Sequence, residues 1–537
     1  MIFPRATKNN RPGRASIALL FGLASIVVMF LLFIMALRLR PDARRTSADN
    51  IQLNVYCAAG VARPVEQLVN EFNALMGTQL EIVRTGGSGE LAGQIATEFH
   101  SGVQRGADLC ILADDLLLEN GQNDGLFREV FPLAVQKPVI AVAAGSEWNI
   151  QSLDDLVSRP DIAYGLTSER AAIGKMARAI AKRDQLLTPL EANRKTDSEN
   201  VMTLAQALIT GSLDAAIVWD TTVNQLNQGS DKPVLEIAAY VDPQDQIAGR
   251  VGLAVLATSS HPTLAIQFAR FMSAPDTGSP AFHGYGFVTR PGDPWEEVPE
   301  VHLFMGSMFT PVLEERVRRF GDRQGVNIYS RWEGCGKLVA SINSIDDPEL
   351  FPDAFFACDA HFMKQVQGYF QAPITVSSND IVMAIEETQA RHVTSPADLL
   401  NANLRIGLCD PEQSALGWLT QQLLSSEPYQ DLYEKIQEQS AVTVDAGPTL
   451  VSQLSAGGLD VAFVYRSNVM ADPQSMKNIK IIPLSQSAVS QAIQPWAISK
   501  STKNPELMRR LFEMIISSDT MSGFEKAGFS VQAPEKD

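Results

Sequence analysis

Arg84-Thr-Gly-Gly-Ser-Gly-Glu-Leu-Ala-Gly-Gln-Ile95 is the stretch that decides how the rest of the chain is read. The apolar run Leu80-Glu-Ile-Val83 leads into it and predicts a short buried strand. Gly86, Gly87 and Gly89 let the backbone turn sharply and approach another group closely. Ser88 is placed to cap the helix that follows, whose buried face carries Leu91 and Ile95 at i and i+4. A strand, a Gly-Ser turn and a helix N-terminus make an anion site without any cationic side chain. The free N–H groups and the positive end of the helix dipole supply the attraction. Taken alone, the same residues also fit an ordinary strand-to-helix turn.

Strands alternate with helices on both sides of this stretch. Leu53-Asn-Val-Tyr-Cys57 reads as a strand, and Ala58-Ala-Gly60 as a small-residue turn. Val65, Leu68, Val69 and Phe72 then fall at helical spacing. Ala107-Asp-Leu-Cys-Ile-Leu-Ala113 is nearly all apolar, as a parallel strand covered on both faces should be. Val139–Val142, Ile162–Gly165 and Asp214-Ala-Ala-Ile-Val-Trp-Asp220 read as further strands. Thr167 to Gly174 leads into a helix, and Asn200 is placed to cap another. This alternation predicts an α/β fold with parallel sheets.

After a proline-rich, acidic linker at 291–300, the same order of elements begins again. Val301-His-Leu-Phe-Met305 and Gly306-Ser-Met308 repeat the first strand and its turn. Trp332-Glu-Gly-Cys-Gly-Lys-Leu338 stands where Gly86-Gly-Ser-Gly-Glu-Leu91 stood. Asp353–Asp359 answers Asp108–Asp114, and Asp410–Gly417 answers Thr167–Gly174. Leu459-Asp-Val-Ala-Phe-Val-Tyr465 answers Leu213-Asp-Ala-Ala-Ile-Val-Trp219. We read a tandem duplication of a domain of about 240 residues, within the usual single-domain range. The period is far too long for a solenoid.

The 537 residues carry a formal net charge of −17, with no Lys/Arg-rich tract beyond the N-terminal region. Nucleic acid, whose phosphates demand a basic face, is not an expected partner. A small anion is not excluded, because local N–H dipoles outweigh a distant net charge. The five cysteines form no C-x-x-C pair, and the six histidines lack zinc spacing, so no metal cation site is expected. Their odd number gives no complete disulfide framework, and Cys57 and Cys110 read as buried free thiols. Ala15–Leu37 is 23 residues without a charge, flanked by Arg5, Lys8, Arg11 and Arg14 and by Arg38, Arg40, Arg44 and Arg45. It is long enough to span a bilayer and reads as an uncleaved signal anchor, with a cleaved signal peptide as the alternative. The expected order is a cytoplasmic segment at 1–14, the anchor at 15–37, a tether at 38–50, and domains at 51–290 and 301–537.

These landmarks resemble the periplasmic molybdate-binding protein family, within the type II periplasmic binding proteins of ABC importers. The likeness rests on Val55-Tyr-Cys-Ala-Ala-Gly60, the Gly-Ser turn before Leu91-Ala-Gly-Gln-Ile95, Ala107-Asp-Leu…Ala113-Asp114, Ala216-Ile-Val-Trp219 and Tyr285-Gly-Phe287. It implies two tandem domains, each with two α/β lobes joined by two crossing strands. The first domain would divide near 135 and 248, and the second near 375 and 495. The family holds a tetrahedral dianion by hydroxyls and by main-chain N–H groups at helix starts. Carried over, Gly60 stands where the family has a serine, and Ser88 matches its second serine. Ala172 or Ile173, and Val201, match amide donors. Trp219 stands at the family's tyrosine; its indole N–H donates but cannot accept. In the second copy Ser307 and Tyr465 keep the first serine and the tyrosine. Cys335 replaces the second serine, and a thiol is a poor donor. Pro448, beside Gly447 at the position of Val201, has no N–H. That copy reads either as a structural remnant or as a cleft for a different ligand.

The resemblance implies an extracytoplasmic solute-binding protein, membrane-anchored, that passes a small oxyanion to an ABC permease and ATPase. The alternative is a sensor or interaction protein that reports occupancy to a membrane partner without transport. No nucleophile–base motif, metal-ligand cluster or dinucleotide fingerprint points to an enzyme, and no cofactor is expected.

Overall fold

The apolar runs around the Gly-Ser turn enter one sheet, but Leu80–Val83, expected as a buried strand, lies in its edge strand with Leu80 buried and Val83 exposed. β1 (Gln52–Ala58) pairs in parallel with β2 (Gln79–Gly86), and the helix Ala62–Met76 between them buries Val65, Leu68, Val69 and Phe72. β3 (Leu109–Leu112), buried at every position, lies on the other side of β1. With β4 (Phe127–Gln136), β10 (Gly249–Leu256) and β11 (Val288–Thr289), these strands form one sheet in the order β11-β4-β10-β3-β1-β2. β5 (Pro138–Ala143), β6 (Tyr164–Thr167), β7 (Thr196–Ser198), β8 (Ala215–Trp219) and β9 (Leu235–Tyr240) form a second sheet in the order β7-β6-β8-β5-β9. The chain thus crosses at Lys137 from one lobe to the other and returns between β9 and β10. The computed structural model describes residues 52–102, 106–228, 230–242, 247–471, 477–484 and 490–531. The apolar stretch 15–37, read as a membrane anchor, and its flanks lie outside them. Among the described residues no helix is long and apolar enough to cross a membrane.

The second copy repeats the plan with a difference at the crossing. β12 (Glu300–Gly306), β13 (Asn327–Glu333) and β14 (Ala354–Phe356) match β1 to β3. β15 (Ile374–Glu386) then runs unbroken through both lobes, where Lys137-Pro138 separates β4 from β5. Residues 374–380 of β15 pair with β20 (Gln491–Ile498), and residues 381–386 with β18 (Val461–Tyr465) and β19 (Ile479–Pro483). β16 (Ile406–Cys409), β17 (Ser440–Val444) and β21 (Ser530–Val531) complete a ten-stranded sheet that spans both lobes. The changes of lobe therefore fall at Asp380/Ile381 and before Gln491, not near 375 and 495. No proline or glycine interrupts β15, so nothing in its composition marks the switch.

Packing follows the same division. The first copy has separate apolar clusters on its two lobes, whereas one continuous cluster runs from Val301 to Phe529 through both lobes of the second. Duplication shows at single side chains as well. Asp108 accepts from Asn54 N (3.0 Å) and Ser259 Oγ (2.8 Å), and Asp353 accepts from His302 N (2.8 Å) and Thr502 Oγ1 (2.5 Å). Asp114 and Asp359 each cap the helix after the third strand.

Candidate functional site

Three helices begin at one point between the lobes of the first copy. Ser88–His100 starts after Gly87, Ala172–Arg183 after Ala171, and Val201–Ile209 after Asn200, each N-cap residue being extended. The first N–H groups of a helix have no intrahelical acceptor, and here they face a shared cavity. Its walls are those helix starts, the turn Ala58-Ala59-Gly60, Ala113 and Trp219. Gly60, Ser88, Ala172, Ile173, Val201 and Trp219, singled out from sequence, all line this one cavity. It leaves about 30 Å³ for the centre of a water-sized sphere, room for a ligand of a few atoms.

Ser88 does not cap its helix. It is the first helical residue, after the N-cap Gly87, and its Oγ accepts from Ala113 N at 3.0 Å. That contact ties the turn to the end of β3 and leaves the hydroxyl proton free to donate. Asn200 does act as a cap, its side chain accepting from Thr203 N at 3.0 Å. The Trp219 indole borders Gly60: a Cβ there would meet Cδ1 at 3.5 Å and Nε1 at 4.0 Å, ordinary contact that does not itself demand a glycine. The far end of the same ring lies over Gly249, where a Cβ would approach Cη2 to 2.6 Å. The indole therefore reaches from the cavity to the strand that returns between lobes.

No lysine, arginine or histidine lines the cavity, and the one acidic lining residue, Glu199, has its carboxylate accepting from Ser168 Oγ (3.3 Å). Asp220 points away: its Oδ1 accepts from Lys137 N (3.0 Å) and Thr221 N (2.7 Å) at the crossing, and burial raises its pKa. The lobes meet at the rim. Lys175 Nζ pairs with Asp114 across the cleft at 3.1 Å, and Gln225 Nε2 donates to Gly60 O at 2.8 Å. A Cβ on Gly89 would run into the carbonyl of Arg170 on the opposite lobe. Sequence reasoning missed Ala113, Lys175 and Gln225, which reach the site only through the packing of the lobes.

The matching cleft of the second copy is built differently. Ser307, Tyr465, Gly447 and Pro448 line it, with about 10 Å³ of equivalent room. Cys335 is not a free thiol; it forms a disulfide with Cys358, Cα to Cα 6.2 Å. Cys335 and Cys358 occupy the places of Ser88 and Ala113: Cys358 N still donates to Cys335 Sγ at 2.9 Å, as Ala113 N does to Ser88 Oγ, and the disulfide adds a covalent tie between turn and strand. Cys358, not Cys335, lines the cleft. Cys57, Cys110 and Cys409 are free and buried. Lys337 pairs with Asp445 across the rim, and Gly336 N donates to Gln413 O at 3.1 Å. The Tyr465 hydroxyl is buried without a partner among the described residues, and burial raises its pKa.

Paired lobes with helix N-termini converging on a small cleft define a protein that closes over a small solute. The chain belongs to the bacterial extracellular solute-binding proteins, whose family model matches residues 53–288 and again 301–530. These are binding proteins, not enzymes, and those of ABC importers work with a permease and an ATPase. YvgL of Bacillus subtilis, named as an ABC transporter substrate-binding lipoprotein, is 24% identical over 225 residues, 41% of this chain and 82% of its own length. A binding protein of Haemophilus influenzae is 22% identical over 244 residues, 43% of this chain and 91% of its own. Among solved structures, the periplasmic molybdate-binding protein of Azotobacter vinelandii aligns at a TM-score of 0.38 and 17% identity, over 44% of this chain and 98% of its own. Iron-bound HitA of Pseudomonas aeruginosa aligns at 0.38 and 22% identity, over 45% and 86%.

Proposed function

We propose that the first copy captures a small, fully deprotonated oxyanion of the molybdate, tungstate or sulfate kind for an ABC importer. Binding takes place outside the cytoplasmic membrane, to which residues 15–37 anchor the chain, with 1–14 inside and 38–50 as tether. A relative named as a lipoprotein accords with attachment at a membrane. The observation that carries this reading is the donor set: three helix N-termini, the Ser88 hydroxyl and the Trp219 indole around a cavity with no cationic side chain. N–H and O–H donors leave a protonated anion with a proton facing a donor, which disfavours it. A metal cation would meet dipoles of its own sign.

The second copy serves as a structural partner in this proposal. The missing N–H at Pro448 and the smaller cavity weaken its cleft as an anion site, and the core running through both lobes opposes their separation. Calorimetric and thermal-shift titrations of the full chain with molybdate, tungstate and sulfate test both halves. At least one anion is expected to raise Tm and bind once per chain. If none binds, the oxyanion reading fails; two equivalents per chain would overturn the structural role of the second copy.

A further inference from the structure

Where the two copies pack together, charged groups are buried away from both clefts. Arg270, on the helix Pro262–Ser273 of the first copy, is 6% exposed, and Arg510, on the helix Pro505–Ile515 of the second, is 7% exposed. Both line a small, partly open cavity with Phe131, Pro132, Ser273, Gly292, Asp293 and Glu506. Arg510 lies over the Phe131 ring, 4.5 Å from its centroid, and its Nε donates to Gln324 Oε1 at 3.2 Å. Arg270 Nη2 donates to Glu297 O at 3.3 Å. Of the other guanidinium nitrogens, Arg270 Nε and Nη1 and Arg510 Nη2 are buried with no acceptor among the described residues.

Two carboxylates, Asp293 and Glu506, also line the cavity, and the Asp293 charge favours both guanidinium groups without making a hydrogen bond to either. Asp293 spends Oδ1 on Glu506 N and Oδ2 on Leu507 N, both at 2.8 Å, capping the second-copy helix. Glu506 accepts from Arg509 Nε at 2.9 Å. Burial pushes both guanidinium groups down to about 10, and Arg510 adds to the fall at Arg270. Leaving cationic donors buried and unpaired is costly, more so than leaving neutral ones. The cavity leaves about 10 Å³ for the centre of a water-sized sphere, space for a single water-sized species and too little for a tetrahedral oxyanion.

We propose that Arg270 and Arg510 hold a single halide ion, chloride in ordinary salt, between the two copies. The cationic donors select an anion, and the space restricts it to one atom. The ion bridges one helix from each copy and so ties their mutual orientation to salt composition. It is independent of the oxyanion reading of the first cleft.

Crystals of the full chain grown with bromide in place of chloride test this directly. An anomalous peak is expected within hydrogen-bonding reach of Arg270 Nη1 and Arg510 Nη2. Density there without anomalous signal would mean a water and would overturn the proposal. A solution measurement serves where crystals are lacking. Exchanging gluconate for chloride at constant ionic strength should raise Tm saturably, by roughly 2 °C or more. Arg270→Gln should abolish that increment while leaving anion binding in the first cleft intact. A chloride increment that survives in Arg270→Gln, or none in the parent chain, would sink the assignment.

Discussion

Ser88 shows how much a single hydroxyl depends on its surroundings. Its oxygen is taken by the Ala113 amide at 3.0 Å, so the proton is the part left to offer. Ser88→Ala is expected to weaken oxyanion binding by about 1 kcal/mol or more, read by calorimetry. Unchanged affinity would remove Ser88 from the donor set. The cysteines offer a second test at this scale. Burial pushes the thiols of Cys57 and Cys110 far up and that of Cys409 up to about 12. At pH 8, well below those values, all three stay protonated in the fold and should resist alkylation. Denaturation without reductant should release three reactive thiols, and reduction all five. Five without reductant would contradict the Cys335–Cys358 bond.

At the scale of elements, the glycines of the opening stretch have different tasks. Gly87 precedes the helix as its N-cap, while Gly89 lies where the two lobes touch. Gly89→Ala places a methyl group against the Arg170 carbonyl only when the lobes are together. It should leave the stability of the free protein nearly unchanged and lower anion affinity roughly tenfold, about 1.4 kcal/mol. Equal affinity would show that the helix Ser88–His100 does not come this close in the bound state. The Lys175–Asp114 pair spans the same rim, with Asp114 buried and Lys175 half exposed, so solvent screens one end of it only. Gly89 permits the close approach of the Arg170 carbonyl, which a Cβ would block.

Across the whole molecule the copies have parted in how they are joined internally. The first has two sheets with a break at Lys137-Pro138; the second has one sheet carried through by β15. A lobe that shares a continuous core with its neighbour cannot rotate without exposing apolar surface. Hydrogen exchange of the full chain with and without the anion should therefore report on one copy only. Protection is expected to rise around 86–95, 171–176 and 199–205, with 334–340 and 446–452 unchanged. A comparable rise in the second copy would show that it also closes on ligand. Contacts between the copies, such as Arg323 with Glu129 (2.5 Å) and Asp293 capping the helix Pro505–Ile515, hold the first copy against the second.

Much of this was readable from order and spacing alone. The strand–turn–helix at 80–95, the duplication and the Asn200 cap are local patterns, or copies of a pattern at a constant interval, whereas Gly60, Ala172, Ile173, Val201 and Trp219 are carried over from the family resemblance. Each element forms from its own periodicity and end signals, so its position along the chain suffices to find it. The rest depends on which segments become neighbours. Cys335 and Cys358 meet because β12 and β14 lie side by side and the turn folds back over them, which no cysteine spacing states. Ser88 looks like a cap until Ala113 is placed beside it. Arg270 and Arg510 are 240 positions apart and unremarkable in sequence; they come together only because one helix from each copy packs at the junction. Side-chain partners across lobes and across copies are set by packing, and packing is a property of the assembled chain.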